Sequence, residues 1–242
     1  MDRTVRHSEI EKNLRDIHRR ILEASDRAGR EPGEVRLIAV TKGQPAEVLQ
    51  AAYDLGLRDF GENRVEEALP KQVALRDLSS IRWHMVGHIQ SRKAERVPGS
   101  FDLVHSVDSL KIARHLDRFS REGKGRLPIL LECNVSGEES KYGWPTFDRV
   151  QWRETGVAFE EIHALPGLEI RGLMTMAPYT QDTQVVRGVF RNLRELRDWL
   201  VPQLPNSMRE LSMGMTDDFE VAIEEGATMV RIGRAIFGDR HV

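Results

Sequence analysis

Residues 35–45 read Val35-Arg36-Leu37-Ile38-Ala39-Val40-Thr41-Lys42-Gly43-Gln44-Pro45. The run Val35 to Val40 is short, apolar and rich in strand-forming residues, which predicts a β-strand ending at Thr41-Lys42-Gly43. Pro45 suits the first turn of a helix, and Ala46 to Leu55 reads as that helix. The stretch is one strand-helix unit, and the rest of the chain repeats it.

Before it, Ile10, Leu14, Ile17, Ile21 and Leu22 recur at helical spacing between Thr4 and Ala28, predicting an amphipathic helix that Gly29 stops. After it, strands are predicted at Arg58 to Gly61, Ile81 to Val86, Leu103 to Ser106 and Pro128 to Val135. The later strands are Leu168 to Met174, Glu210 to Ser212 and Met229 to Ile232. Between them, helices are predicted at Arg64 to Leu75, Ser91 to Val97, Ser109 to Arg121, Phe147 to Leu165, Thr183 to Leu200 and Asp217 to Glu225. Such alternation predicts an α/β fold with a parallel sheet, and eight units in 242 residues point to a closed (β/α)8 TIM barrel. An open doubly wound sheet is the alternative, but no Gly-x-Gly-x-x-Gly opens the first unit.

The length suffices for one large core without disulfides, and no Pro/Gly/Ser-rich linker interrupts it, so residues 1–242 are expected to form a single domain. Acidic and basic residues nearly cancel, 38 against 36, with no long single-sign run to track a nucleic-acid backbone. The first twenty residues lack the apolar stretch of a signal peptide, and no span is long and apolar enough for a membrane, which predicts a cytoplasmic protein. The one cysteine, Cys133, lies in an apolar run and reads as a small buried hydrophobe. The histidines show no metal-ligand spacing, so no metal is expected.

In barrels of this kind the site is built at the carboxyl ends of the strands. There the sequence places Lys42, Asn63, His84, Asn134, Thr175, the Ser212 to Thr216 segment and Arg231-Gly233. An ammonium buried after an apolar strand would lose its proton easily and become a nucleophile toward an aldehyde. It could equally snorkel to solvent, and position alone does not separate the two. Ser212, Gly214 and Thr216, with Gly233 and Arg234, could offer hydroxyls, N–H groups and close backbone approach to a phosphate, or they could be ordinary turn residues. His84 could be an acid or base, or a structural hydrogen-bonding group. The first and last strands are neighbours in a closed barrel, so one small ligand could bridge amine and phosphate cradle. Pyridoxal 5'-phosphate has that pair of handles.

With these residues assembled, the chain resembles the pyridoxal phosphate homeostasis protein family, whose barrel is similar to the alanine racemase N-terminal domain. The likeness rests on Leu37 to Lys42, Phe60 to Asn63, Trp83 to Gln90, Gly172 to Met174, Leu211 to Asp218 and Met229 to Gly238. It implies that Lys42 holds the cofactor as a Schiff base and that Ser212, Gly233 and the backbone near Thr216 bind phosphate. It further implies that Arg231 meets the pyridine nitrogen and that Asn63 and Met213 line the ring. The chain departs from the family at Arg92, Gln44 and Thr216.

An arginine at the ring nitrogen keeps its own proton and leaves that nitrogen unprotonated, a weak electron sink. A racemase needs an acid or base on each face of the substrate carbon. The sequence ends soon after Gly238 without the second domain that supplies one in racemases, and Tyr142 and Tyr179 read as loop residues. The expected function is to store, buffer or deliver the cofactor, with cofactor-dependent apoenzymes as acceptors and no catalytic residue. The alternatives are an amino-acid racemase and a Schiff-base aldolase. A monomer is expected.

Overall fold

Each apolar run becomes a strand and pairs in parallel with the next, because the helix between them returns the chain to the same end of the sheet. The computed structural model describes residues 3–123, 125–204 and 208–238. Helix α1 (Arg3–Arg27) is followed by β1 (Arg36–Val40), α2 (Ala46–Asp54), β2 (Asp59–Glu62), α3 (Val65–Ala74), β3 (Arg82–Met85) and β4 (Leu103–Val107). Then come α4 (Leu110–Glu122), β5 (Leu127–Asn134), the two-residue β6 (Trp144–Pro145), α5 (Arg149–His163) and β7 (Leu168–Met174). The chain ends with α6 (Thr183–Leu200), β8 (Glu210–Ser212), α7 (Phe219–Glu224), β9 (Met229–Ile232) and α8 (Arg234–Phe237).

The ring runs β1-β2-β3-β4-β5-β7-β8-β9 and closes where β9 pairs with β1, Arg36 opposite Met229 and Ala39 opposite Ile232. This is the closed eight-stranded parallel barrel, with β6 a short addition beside the end of β5. The open-sheet alternative is thereby removed.

Side-chain parity sorts the strands. Leu37 and Ala39 join the core between strands and helices, whereas Ile38 points inward with Leu103, Leu130, Met174 and Met229 in a separate cluster. Helix α1 lies over α2, α7 and α8, burying Ile10, Leu14, Ile17 and Ile21 and leaving Leu22 exposed. Asn13 Nδ2 donates to the Ile236 carbonyl at 3.0 Å, and the Arg20 guanidinium sits over the Phe219 ring while bonding Glu220. Gly29, at φ +62°, ends the helix.

Several elements differ from expectation: β6 and α8 have no predicted counterpart, and α7 starts at Phe219, two residues after the predicted Asp217. Ser91–Arg96 is a short 3-10 helix rather than an α-helix, since Pro98-Gly99 follows too soon for a costly nucleus to propagate. The helix expected from Phe147 starts at Arg149, because Asp148 caps it by accepting from the Val150 and Gln151 amides at 2.9 and 3.0 Å.

Candidate functional site

Lys42 lies two residues beyond β1, and Thr41 beneath it is gripped from several sides. The Thr41 amide donates to Gly61 O at 2.9 Å and its hydroxyl to Glu62 Oε1 at 2.5 Å. Lys71 Nζ donates to the same carboxylate oxygen at 2.6 Å and to the Thr41 carbonyl at 2.8 Å. Glu62 is fully buried, and burial pushes its carboxyl upward against the pull of Lys71 and Thr41. This clamp holds the strand end from which Lys42 reaches the cavity at the barrel mouth. Lys42 itself is exposed. Of the two readings that position left open, burial and reaching to solvent, the exposure matches the second, because the strand stops before Lys42.

The mouth holds a cavity of about 440 Å³, inside the range of small-molecule sites. Val40, Lys42, Gln44, Asn63, Val86, Met176, Met215, Thr216, Asp217, Arg231, Gly233, Arg234, Phe237 and Gly238 line it. Lys42 and Gly233 meet there because β1 and β9 form the closing seam. A Cβ on Gly233 would stand 3.0 Å from Val40 O, so a side chain there would crowd the Val40 carbonyl by a few tenths of an ångström. Gly233 opens α8, whose leading N–H groups have no partner within the helix. Across the mouth, the Met215 amide donates to Asp218 Oδ1 at 2.6 Å, which shapes the turn bearing Thr216. Arg234 Nη2 donates to both Asp217 oxygens, at 2.7 and 2.6 Å.

Arg231 forms the floor. It is buried, donating from Nη1 to Ser212 Oγ at 2.6 Å and from Nη2 to the Thr175 carbonyl at 2.9 Å. Burial lowers its pKa to about 10, with Glu132 and Asp218 opposing the fall, so at neutral pH it is a cation. Below it, His105 Nδ1 lies 2.8 Å from Ser212 Oγ and His105 Nε2 3.0 Å from His84 Nδ1. His84 Nε2 lies 2.9 Å from Asp59 Oδ1. Burial would raise the Asp59 pKa, but hydrogen bonds from Arg82 and His84 hold it at about 2.

Glu132, inward on β5, has its pKa raised to about 7 by burial and by Asp108, against Arg231. Its folded pKa exceeds the ordinary 4.5. Its contribution is therefore full below pH 4.5 and lost as pH rises through about 7, a change of roughly 3 kcal/mol. His105, pushed well down by burial, slopes the opposite way. Subtracting Glu132→Gln from wild type isolates the glutamate. The difference in urea unfolding free energy is expected to fall by that amount between pH 4.5 and 7, and a flat difference would refute the assignment.

Of the residues singled out in the sequence, Lys42, Asn63, Thr216, Arg231, Gly233 and Arg234 line the cavity. Ser212, Met213, Gly214 and His84 do not. Ser212 is fully buried with its hydroxyl between Arg231 and His105. Met213 is in the outer core, on the opposite parity. Gly214, at φ +93°, gives room to α7, where a Cβ would meet Ala222 at 2.6 Å. His84 is a buried hydrogen-bonding group in the barrel interior. Val40, Val86 and Met176 were missed, although they share the inward parity of Ile38, His84 and Met174. Among the described residues no group of three or more His, Cys, Asp or Glu is set for a metal, and His241 lies outside them. No described helix is long and apolar enough to cross a membrane.

The model of the alanine racemase N-terminal domain family matches residues 12–241. A pyridoxal phosphate homeostasis protein of Pseudomonas aeruginosa is 44% identical over 233 residues, spanning 96% of both chains. Another, of Aquifex aeolicus, is 41% identical over 227 residues, spanning 94% of this chain and 96% of its own. The solved structure of PipY from Synechococcus elongatus, with PLP bound, is similar at a TM-score of 0.82 and 34% identity, covering 95% of this chain and 100% of that one. The chain belongs to the pyridoxal phosphate homeostasis protein family, built on the barrel of the alanine racemase N-terminal domain.

Proposed function

We propose that residues 1–242 form one unit that binds pyridoxal 5'-phosphate on Lys42 and stores, buffers or delivers it. The observation that carries this reading is the seam: an exposed lysine amine and the glycine-opened turn at Gly233 border one cavity floored by a guanidinium. When bound, the cofactor supplies an aldehyde that condenses with an amine, releasing water, and a phosphomonoester. The residues fit both groups. Lys42 offers the amine, while the Thr216 hydroxyl and the leading amides of α8 offer donors to the phosphate. Arg231, keeping its proton at neutral pH, would face the ring nitrogen and leave it unprotonated. Asn63, Val86 and Met176, which line the cavity, would border the ring. Ser212 serves by holding Arg231 rather than by touching phosphate.

Carriage is favoured over racemisation by what borders the cavity. Tyr142 and Tyr179 are not among the lining residues, and Tyr179 is 96% exposed. Asp217, the acid that does line it, is paired with Arg234. A second proton-transfer group facing Lys42 is thus not supplied by the described residues. The protein is proposed to act in the cytoplasm as a monomer, with cofactor-dependent apoenzymes as acceptors. Absorbance before and after borohydride, with mass mapping of the adduct, tests the binding. An adduct on Lys42 without turnover of alanine or serine is expected, and an adduct elsewhere or steady turnover would overturn the reading.

Gly87 supplies a second check. A Cβ there would stand 2.3 Å from Asn63 O and 2.7 Å from Asn63 Cα, so Gly87→Ala must push the Asn63 backbone. Cofactor release from Gly87→Ala is expected to be about tenfold faster, the equivalent of one lost hydrogen bond. Equal release rates in stopped dilution would show that Asn63 is not part of the site.

A further inference from the structure

The polar column under Arg231 runs the height of the barrel, from the cavity floor to the opposite face. At its foot, Arg82 donates to Asp59 from Nε at 2.7 Å and from Nη2 at 2.5 Å, and Arg82 is about half exposed. Asp59 and Arg82 are the first residues of β2 and β3 and face each other in register. The links above are Asp59 to His84, His84 to His105, His105 to Ser212 and Ser212 to Arg231. Every member except Arg82 is buried.

Chemistry at the two ends fixes the direction of every bond. A carboxylate only accepts, so His84 Nε2 carries the proton and donates to Asp59. His84 Nδ1 is then the acceptor, and His105 Nε2 must donate to it. His105 Nδ1 is left as an acceptor for the Ser212 hydroxyl, whose oxygen accepts from the Arg231 guanidinium. Reversing the column would need a cationic His84, a His105 donating to Ser212, and a hydroxyl hydrogen facing two donors. That arrangement leaves a buried hydroxyl hydrogen without an acceptor in the column and adds a charge beneath Arg231. The groups facing His105 support the neutral form: His84, Arg231 and Arg36 each act with burial against its protonation.

We propose that Asp59, at the far end of the barrel, is a positioning residue for Arg231, acting through His84, His105 and Ser212. The proposal rests on the reading that Arg231 faces the cofactor ring. The carboxylate polarises one unbroken chain whose last acceptor, Ser212 Oγ, sets where the guanidinium lies beneath that ring. Thr175 O then takes the second Arg231 nitrogen, so the group cannot swing.

Two measurements test it. In wild-type protein without added cofactor, long-range nitrogen-proton spectra of labelled histidine are expected to show His84 and His105 both as neutral Nε2–H tautomers at pH 7.5. An Nδ1–H tautomer or an imidazolium at either position would overturn the proposal without bearing on cofactor binding. In the loaded protein, Asp59→Asn and His105→Leu are each expected to displace the absorption band of the bound chromophore and to speed its release about five- to tenfold. The double variant should shift no further than either single one, because both cut the same chain. Variants that keep a chromophore on Lys42 with an unmoved band would sink the positioning role while leaving the cofactor reading intact. An adduct absent from Lys42 in wild type would sink that reading instead. Should the variants fail to fold, the wild-type tautomers still decide the case.

Discussion

Lys42→Ala is expected to purify folded and colourless, with no borohydride-reducible chromophore and cofactor retention lowered by more than roughly a hundredfold, about 2.7 kcal/mol. The side chain is exposed at the rim and contributes to no core cluster, so its loss costs the fold little. What would disappear is the proposed covalent tether. The proposed phosphate donors at Thr216 and the amides of α8 remain, so weak, dialysable binding should persist. Equilibrium dialysis against the intact protein measures the difference. Retention of a reducible chromophore would transfer the anchor to another lysine, and Lys71 would be examined first because its Nζ already touches the Thr41 carbonyl.

Gly172→Ala is expected to lower the melting temperature by roughly 6–12 °C or to prevent soluble folding. Gly172 pairs with Glu210 where β7 meets β8, and a Cβ would stand 1.9 Å from Glu210 O and 2.6 Å from its carbonyl carbon. Both atoms are backbone, so no rotamer can yield, and the strands must part. Overpacking of this kind costs about 3 kcal/mol or more, a large share of the 5–15 kcal/mol typical of domain stability, at roughly 2–4 °C for each kcal/mol in a chain this long. Gly188→Ala is the control. Gly188 lies inside α6 with open space around its Cβ position, so the same change there should raise stability by about 0.5–1 kcal/mol. Equal melting of the two variants would contradict the strand geometry.

The barrel was legible because closure leaves a strong trace: apolar runs alternating with helical periodicity from Val35 to Ile232. The residues alone suggested an aldehyde with a phosphate, and the resemblance narrowed the alternatives that spacing left open for Lys42 and suggested a part for Arg231. What sequence order could not separate was the inside of a strand end from its outside. Ser212 and Met213 are adjacent, yet one serves the interior column and the other the outer core, and neither borders the cavity. The column was hidden for another reason. Asp59, His84, His105 and Ser212 come from four strands, and only the register of the closed ring stacks them. His105 carried no local signal beyond a histidine within a strand. The two-residue β6 was too short to show any period.

The pairing of the first barrel strand with the last also dictates an order of events during synthesis. A growing polypeptide exposes its reactive amine early, but the pocket edge that would grip a vitamin phosphate exists only once β9 has left the ribosome and zipped onto β1. If the proposed site is right, nascent chains would lack its phosphate-facing edge as they emerge. Stable loading would then follow completion, and truncation upstream of Met229 is expected to leave the lysine present with weakened hold on the cofactor.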